Sequence, residues 1–386
     1  MAALLAPVVG PTLGGWITDS YSWRWVFYIN VPVGLLAFAA CFALLRDPEY
    51  LTKERMELRK QPLRFDGLGL SLLVIVMVSW EVMLSKGQEW DWLSDPFWRV
   101  QTLAIFSGVG LMALIFWELR HPSPVVNFRP LRERNFAACC VIIFCAFAVL
   151  YAASTSLPAL LQSLFGYDAL SAGLVMSPAG FGALVAMPFI GMALGRGADA
   201  RWLLAAGLLT MAFANYWMSQ MNLDISPGQV VWPRVMLVFG LSMCFAPANV
   251  AAYLYIPPSL RGAAVGLLSL LRNEGGSVGT SMAQTVQERR DQFHILRLGE
   301  SLDSFNASVV SFLDQARGLY LQQTGDPSAA QEFAWQALDN LRQQQASSLA
   351  YFDVFFLLAV VMLVPLLTVL LMKRSVAEKG AHIGHE

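Results

Sequence analysis

Long apolar stretches separated by short polar connections run along almost the whole chain, and each is close to the ~20 residues that a bilayer core requires. Ten of them fall at about 2–18, 25–45, 67–85, 101–119, 137–160, 169–193, 202–219, 231–254, 262–285 and 349–372, and the pattern predicts a transmembrane helix for each. One connection breaks the rhythm. Residues 286–347 are long, polar and Gln-rich, and within them Val309, Val310, Phe312, Leu313, Ala316 and Tyr320 recur at helical spacing. Asp326-Pro327 then supplies a cap and first-turn pair for a second helix running to about Gln345. Two readings stay open for this stretch, a solvated helical hairpin and a docking surface for an external partner.

Lysine and arginine placement orients the spans. With residue 1 in the cytoplasm, the inside segments hold Arg46, Lys53, Arg55, Arg59, Lys60 and Arg64, then Arg120, Arg129, Arg132 and Arg134, then Arg196, Arg201, Arg261, Lys373, Arg374 and Lys379. The short outside loops hold only Arg24, Lys86 and Arg99. The asymmetry predicts both termini in the cytoplasm. The five arginines of 286–347 do not weaken it, because long loops translocate largely regardless of charge.

Composition narrows the class. The 386 residues are 56% hydrophobic and 14% charged, with a mean hydropathy of +0.52, which excludes an ordinary soluble domain. A formal net charge of −1 argues against a nucleic-acid partner, and the 12 Trp and 24 Phe suit a lipid-facing exterior. The five cysteines fall inside apolar runs without ligand spacing, so disulfides and metal sites are not expected. No phosphate-binding loop, Ser/His/Asp set or zinc motif is present, and the expectation is a non-enzyme without a cofactor.

Candidate chemistry lies in two kinds of position. Ala6 to Trp16 puts Gly10, Pro11, Gly14 and Gly15 in one membrane helix. Gly10 and Gly14 share a face, which predicts a groove for close backbone approach, and Pro11 bends the helix. Ionisable residues inside spans are the other kind, since each costs at least ~2.5 kcal/mol at the bilayer centre unless paired or hydrated. They are Glu81, Arg234, Arg272 with Glu274, and Asp353. Arg272 and Glu274 are two apart and so face different sides, each towards a partner on another helix or a wet cavity. Gly275, Gly276 and Gly279 beside them predict a helix that packs closely while presenting a charge. Glu81 reads either as snorkelling near Lys86 or as a proton carrier, Asp353 as interfacial or functional, and Arg234, after Trp232-Pro233, as an interfacial anchor. In the turn from Gly191 to Arg201, Gly195 allows tight bending, while Arg196, Asp199 and Arg201 can cluster as a cytoplasmic latch or serve as positive-inside charges. Tyr151, Ser154, Thr155, Gln162, Asn215, Tyr216, Trp217 and Asn249 are polar or aromatic candidates for a cavity wall.

Gly10-Pro11…Gly14-Gly15-Trp16, followed by Trp25-Val-Phe-Tyr-Ile-Asn-Val-Pro-Val-Gly34, resembles the antiporter motif and next helix entry of the fourteen-span drug:proton antiporters, multidrug resistance protein B type, within the major facilitator superfamily. Phe65-Asp66-Gly67, Trp90-Asp91-Trp92, Trp117-Glu118-Leu119, Arg134-Asn135-Phe136, Gly191…Gly195-Arg196 and Arg272…Thr280 extend the resemblance in order over nearly the full length. Glu274 departs from it, standing where an apolar residue is expected. The resemblance implies an all-α major-facilitator bundle with ten of the spans in this chain: 1–45 as the last two spans of an N-terminal bundle, 46–136 as cytoplasmic loops and an inserted two-span pair, 137–373 as a C-terminal six-span bundle including the external loop 286–347, and 374–386 as a cytoplasmic tail. Four further spans would precede Met1 in the family, so the expectation is a truncated product, a late start or a fragment. The implied activity is export of drugs or other hydrophobic and amphipathic compounds from a bacterial inner membrane, driven by a proton gradient. The family often works with a periplasmic adaptor and an outer-membrane channel, which 286–347 could touch. Two alternatives remain: a truncated non-transporting remnant or scaffold, and a uniporter or importer of a small metabolite.

Overall fold

The computed structural model describes residues 2–44, 66–223, 226–303 and 305–376, and these are almost entirely helical. The predicted cytoplasmic cations Arg46, Lys53, Arg55, Arg59, Lys60 and Arg64, and the tail with Lys379, lie outside the described residues. The helices are α1 (Ala2–Ser20), α2 (Trp25–Tyr28), α3 (Asn30–Leu44), α4 (Gly67–Lys86), α5 (Arg99–Arg120), α6 (Arg134–Leu164), α7 (Ala169–Met176), α8 (Ala179–Gly195), α9 (Ala200–Ser219), α10 (Pro227–Tyr253), α11 (Arg261–Gly299), α12 (Ala307–Thr324), α13 (Pro327–Val361) and α14 (Leu363–Leu370). Among the described residues, seven segments are long and apolar enough to cross a membrane: Trp25–Leu44, Gly67–Lys86, Arg99–Arg120, Arg134–Leu164, Ala169–Gly195, Gly228–Tyr253 and Pro327–Leu370. The other three predicted spans are helical too, as α1, α9 and α11, but their apolar runs are diluted. Gly, Pro and Thr do this in α1, Arg201 and Asn215 in α9, and Arg272, Asn273 and Glu274 in α11.

Three prolines explain three breaks. Pro32, Pro178 and Pro365 have no N–H to give the carbonyl four residues earlier, and the helix is interrupted between α2 and α3, α7 and α8, and α13 and α14 at or just after those carbonyls. The Leu174 carbonyl, left without a backbone donor by Pro178, accepts from Ser177 Oγ at 3.1 Å.

Residues 134–376 form one packed bundle. α6 and α10 cross its centre with α9, α11 and α13 against them, and the core holds Phe136, Ile142, Leu157 and Leu160 from α6, Leu204, Leu208 and Met211 from α9, Leu237 and Cys244 from α10, and Phe355 and Leu358 from α13. The closest approach is between α6 and α11. A Cβ on Gly275 would collide with the Phe144 carbonyl oxygen and one on Gly279 with that of Ala148, so the small positions predicted in the sequence set the backbone separation here.

The pair α4–α5 packs on itself and lies along α11. Asp66 caps α4 by accepting from Gly69 N–H at 2.8 Å, and the Trp117 indole of α5 donates to the same carboxylate at 3.0 Å. Burial opposes the charge on Asp66, but these donors and His121 nearby hold its pKa below the usual carboxylate value. On the other side Trp92 Nε1 donates to Thr285 Oγ1 at 3.1 Å and Ser281 Oγ to the Leu84 carbonyl at 2.8 Å, both joining the pair to α11.

The stretch 286–347 is more regular than a loop. α11 runs unbroken past the predicted span end at 285 to Gly299, and α13 runs unbroken from Pro327 through the predicted span start at 349. α12 packs on α13, so the stretch is a helical extension of the bundle. In α3, by contrast, no residue is buried.

Candidate functional site

A cavity of about 660 Å³ opens between α1 and the bundle. α1 contributes Pro11, Gly14, Gly15 and Thr18, α6 contributes Phe147, Leu150, Tyr151, Ser154, Pro158 and Gln162, and α10 and α11 contribute Arg234, Leu241, Phe245 and Arg272. The volume is in the range of pockets for drug-sized ligands.

The glycines of α1 do not work as their spacing suggests. The groove expected on Gly10 and Gly14 faces open space, with no atom within 4 Å of a Cβ built at either, and Gly14 lines the cavity. The close approach falls instead on Gly15 and Gly173: a Cβ on Gly15 would lie 2.5 Å from the Ala169 carbonyl oxygen, and one on Gly173 2.6 Å from that of Pro11. Thr12 Oγ1 donates to the Gly173 carbonyl at 3.1 Å, and Leu170 N–H donates to Asp19 at 2.8 Å. Spacing tells which residues share a face; it is silent on which face meets the partner, and one position is worth 100°.

Arg234 is not an interfacial anchor. It is 2% exposed: α10 begins at Pro227, about one turn before the apolar run marked from 231, and carries residue 234 inside the bundle. Its Nη2 donates to Ser154 Oγ at 2.7 Å, while Nε and Nη1 are buried with no partner among the described residues. Arg272 lines the same cavity with its guanidinium 5.6 Å from the centre of the Phe147 ring.

Glu274 leaves α11 on another side. Its carboxyl lies beside Trp80 and Glu81 of α4, and its Oε2 is buried without a hydrogen-bond partner among the described residues. Glu81 accepts from Ser277 Oγ at 2.9 Å, so the alternative of snorkelling towards Lys86 gives way to a contact with α11, and Lys86 pairs with Glu89 instead. One helix thus carries a cation to the cavity and a carboxyl to the α4 interface, as their separation by two positions predicts.

Asp353 does not line the cavity. Its carboxylate pairs with His294 Nε2 at 2.7 Å and with Arg290, both on the continuation of α11. In the turn after Gly191 and Gly195, Asp199 pairs with Arg201 at 2.7 Å and accepts from Ser375 N–H at 3.2 Å, while Arg201 Nη1 donates to the Met372 carbonyl at 3.2 Å. The structure joins these two residues to the end of the same bundle, not to α1 or α3, and Arg196 is exposed outside the cluster. Of the remaining polar candidates, Tyr151, Ser154 and Gln162 line the cavity. Asn215 and Asn249 bond back to carbonyls of their own helices, and Tyr216 and Trp217 are exposed.

The Asp199 cluster gives a direct prediction. Burial raises the Asp199 pKa, but the hydrogen bonds from Arg201 and Ser375 outweigh it and hold the carboxyl below its usual value. A depressed folded pKa means that the native state binds fewer protons in acid. The contribution is complete above the unfolded value of about 4 and is lost as pH falls through the folded one. Asp199→Ala removes it at all pH, at a cost of about 1 kcal/mol for the cap, and should free 372–376. Limited trypsinolysis at Arg374 reads this: faster cleavage in the variant, and unchanged cleavage if the pairing holds nothing.

Apolar spans set around a largely apolar cavity with two arginines in its wall are the architecture of a polytopic helical membrane protein. Residues 1–280 match the Major Facilitator Superfamily, and the chain belongs to that superfamily. It is similar to the multidrug export protein EmrB of Escherichia coli K12 (33% identity over 342 residues, covering 88% of this chain and 64% of that protein). It also resembles the fatty acid resistance protein FarB of Neisseria gonorrhoeae (32% over 309 residues, 80% and 59%) and the probable multidrug resistance protein EmrY of E. coli K12 (32% over 307 residues, 79% and 58%). The chain thus spans about three-fifths of the length of these relatives. It is a multi-pass protein of a bacterial inner membrane.

Proposed function

We propose that the protein is an efflux transporter, not an enzyme, exporting hydrophobic or amphipathic compounds in exchange for protons. The observation that carries this is the cavity, walled by the motif helix α1 on one side and by two arginine-bearing helices of the bundle on the other. The names of its relatives, which concern multidrug export and fatty acid resistance, agree with such a substrate range.

In this reading ten helices span the bilayer, with both termini in the cytoplasm as the cation distribution implies. The contact of Thr12, Gly15 and Asp19 with α7 closes the outer side of the cavity. Gly15 and Gly173 let two backbones meet and part without side chains in between, which suits the rocking of one bundle against another around a fixed site. Glu274 and Glu81 lie off the cavity at the α4–α11 contact, and a carboxyl with an unpartnered buried oxygen is suited to taking up and releasing a proton there. Glu274→Gln should then abolish proton-coupled counterflow while substrate binding persists. Retained counterflow would remove Glu274 from the proton path. The extension formed by α12 and the flanking parts of α11 and α13 exposes Leu296, Leu319 and Trp335 and would meet a periplasmic adaptor leading to an outer-membrane channel. The energy source is the proton gradient, with no bound cofactor.

Expression in a pump-deficient strain and reconstitution with an internal pH dye test the reading together. It predicts resistance and substrate-induced proton movement; neither one appearing would refute it.

A further inference from the structure

The cavity carries two cations and no anion. None of its lining residues is Asp or Glu, and neither Arg234 nor Arg272 forms an ion pair among the described residues. A guanidinium keeps its proton in any protein environment, so burial cannot discharge Arg234 as it could a lysine or a carboxylate. Ser154 satisfies one of its nitrogens; Nε and Nη1 are enclosed without an acceptor among the described residues. Buried donors in folded proteins are as a rule satisfied, and Arg234 stands in the wall of a space large enough for a ligand. Arg272 reaches the same space from α11 with the Phe147 ring 5.6 Å from its guanidinium. The rest of the wall is apolar and aromatic, with Leu150, Met176, Leu241 and Phe245 beside Phe147.

We infer that the cavity selects amphipathic anions: molecules with one acidic group, placed between Arg234 and Arg272, on an apolar body that lies along Phe147, Leu241 and Phe245. The inference rests on the cavity being the substrate site and narrows its substrate class. Lipophilic cations of the same size fit the space but bring a third positive charge into a low-dielectric enclosure, where like charges repel strongly. An acidic group supplies the acceptors that Arg234 lacks, through charge-assisted hydrogen bonds.

The test compares three probes with the same twelve-carbon chain, laurate, dodecyltrimethylammonium and dodecanol, on the full chain in phosphatidylcholine nanodiscs, with partition into empty discs subtracted. Laurate should bind roughly ten- to a hundredfold tighter than dodecyltrimethylammonium, the range that charge-assisted hydrogen bonds to a buried group contribute. Arg234→Gln should erase the preference and Arg234→Lys should keep most of it. Should Arg234→Gln not fold, Arg272→Gln, at a half-buried position, carries the same test. Equal or tighter binding of the cation, or laurate affinity untouched in the folded variants, would overturn the inference and leave the transport reading standing. No saturable binding of any probe would overturn both. Replacing a third of the lipid with phosphatidylglycerol should leave laurate affinity nearly unchanged; a tenfold loss would make a lipid headgroup the occupant and refute a soluble anion.

Discussion

Gly279→Leu is expected to prevent the bundle from forming. The α6 and α11 backbones meet at this point, and a Cβ on residue 279 would collide with the Ala148 carbonyl, a group that cannot rotate away as a side-chain tip would. The two helices must separate along their whole contact, which also carries Gly275 against Phe144 and Gly276 against Tyr151. The loss should exceed ~3 kcal/mol, the upper end of ordinary overpacking, and size-exclusion profiles in detergent should show no monodisperse peak. Gly266→Ala on the same helix is the control, because nothing lies within 4 Å of its Cβ. It should be neutral or gain up to ~1 kcal/mol from helix propensity. A folded Gly279→Leu protein would mean that the α6–α11 approach is not needed for folding.

Arg234→Met should separate stability from function. The arginine is buried with two nitrogens unpartnered, so replacing it by an apolar side chain of similar length removes an uncompensated charge. The variant is expected to unfold no earlier than the parent and to gain ~1–4 kcal/mol, as replacement of buried ionic groups by packed apolar ones often does. Transport should nevertheless fall by two orders of magnitude or more, because the charge is retained at a cost to folding and serves the ligand. Thermal unfolding and uptake on the same preparation read both. A destabilised variant that still transports would place Arg234 among structural groups.

Much of α11 was legible in the sequence. Its small positions, its cation and its carboxyl follow from helical geometry alone, since residues two apart face different ways and residues three and four apart share a side. The inserted pair was legible as well, through the charged connections that bound it, and the Asp66 and Trp117 of its flanking motifs turn out to hold its two helices together. Partners distant in sequence were not legible. Arg234 follows Trp-Pro beside a polar stretch and so reads as a membrane-surface residue; that Ser154, eighty positions earlier, stands opposite it depends on how α6 and α10 cross. The partners of Asp353 were hidden because a span is assumed to stop near twenty residues, whereas α11 continues for 39 and brings Arg290 and His294 alongside. The glycines of α1 show the same boundary at smaller scale: the sequence marked a packing helix, and the docking geometry chose Gly15 over Gly10 and Gly14.

In the proposed transport cycle α1 parts from α7 and so opens the cavity. Cysteines introduced at Asp19 and Leu170, where carboxylate and backbone now meet, can be joined by oxidation in proteoliposomes while proton-coupled uptake is followed. Cross-linking is expected to stop uptake and reduction to restore it; uptake that continues at the same rate through a quantitatively cross-linked protein would mean that α1 and α7 need not part.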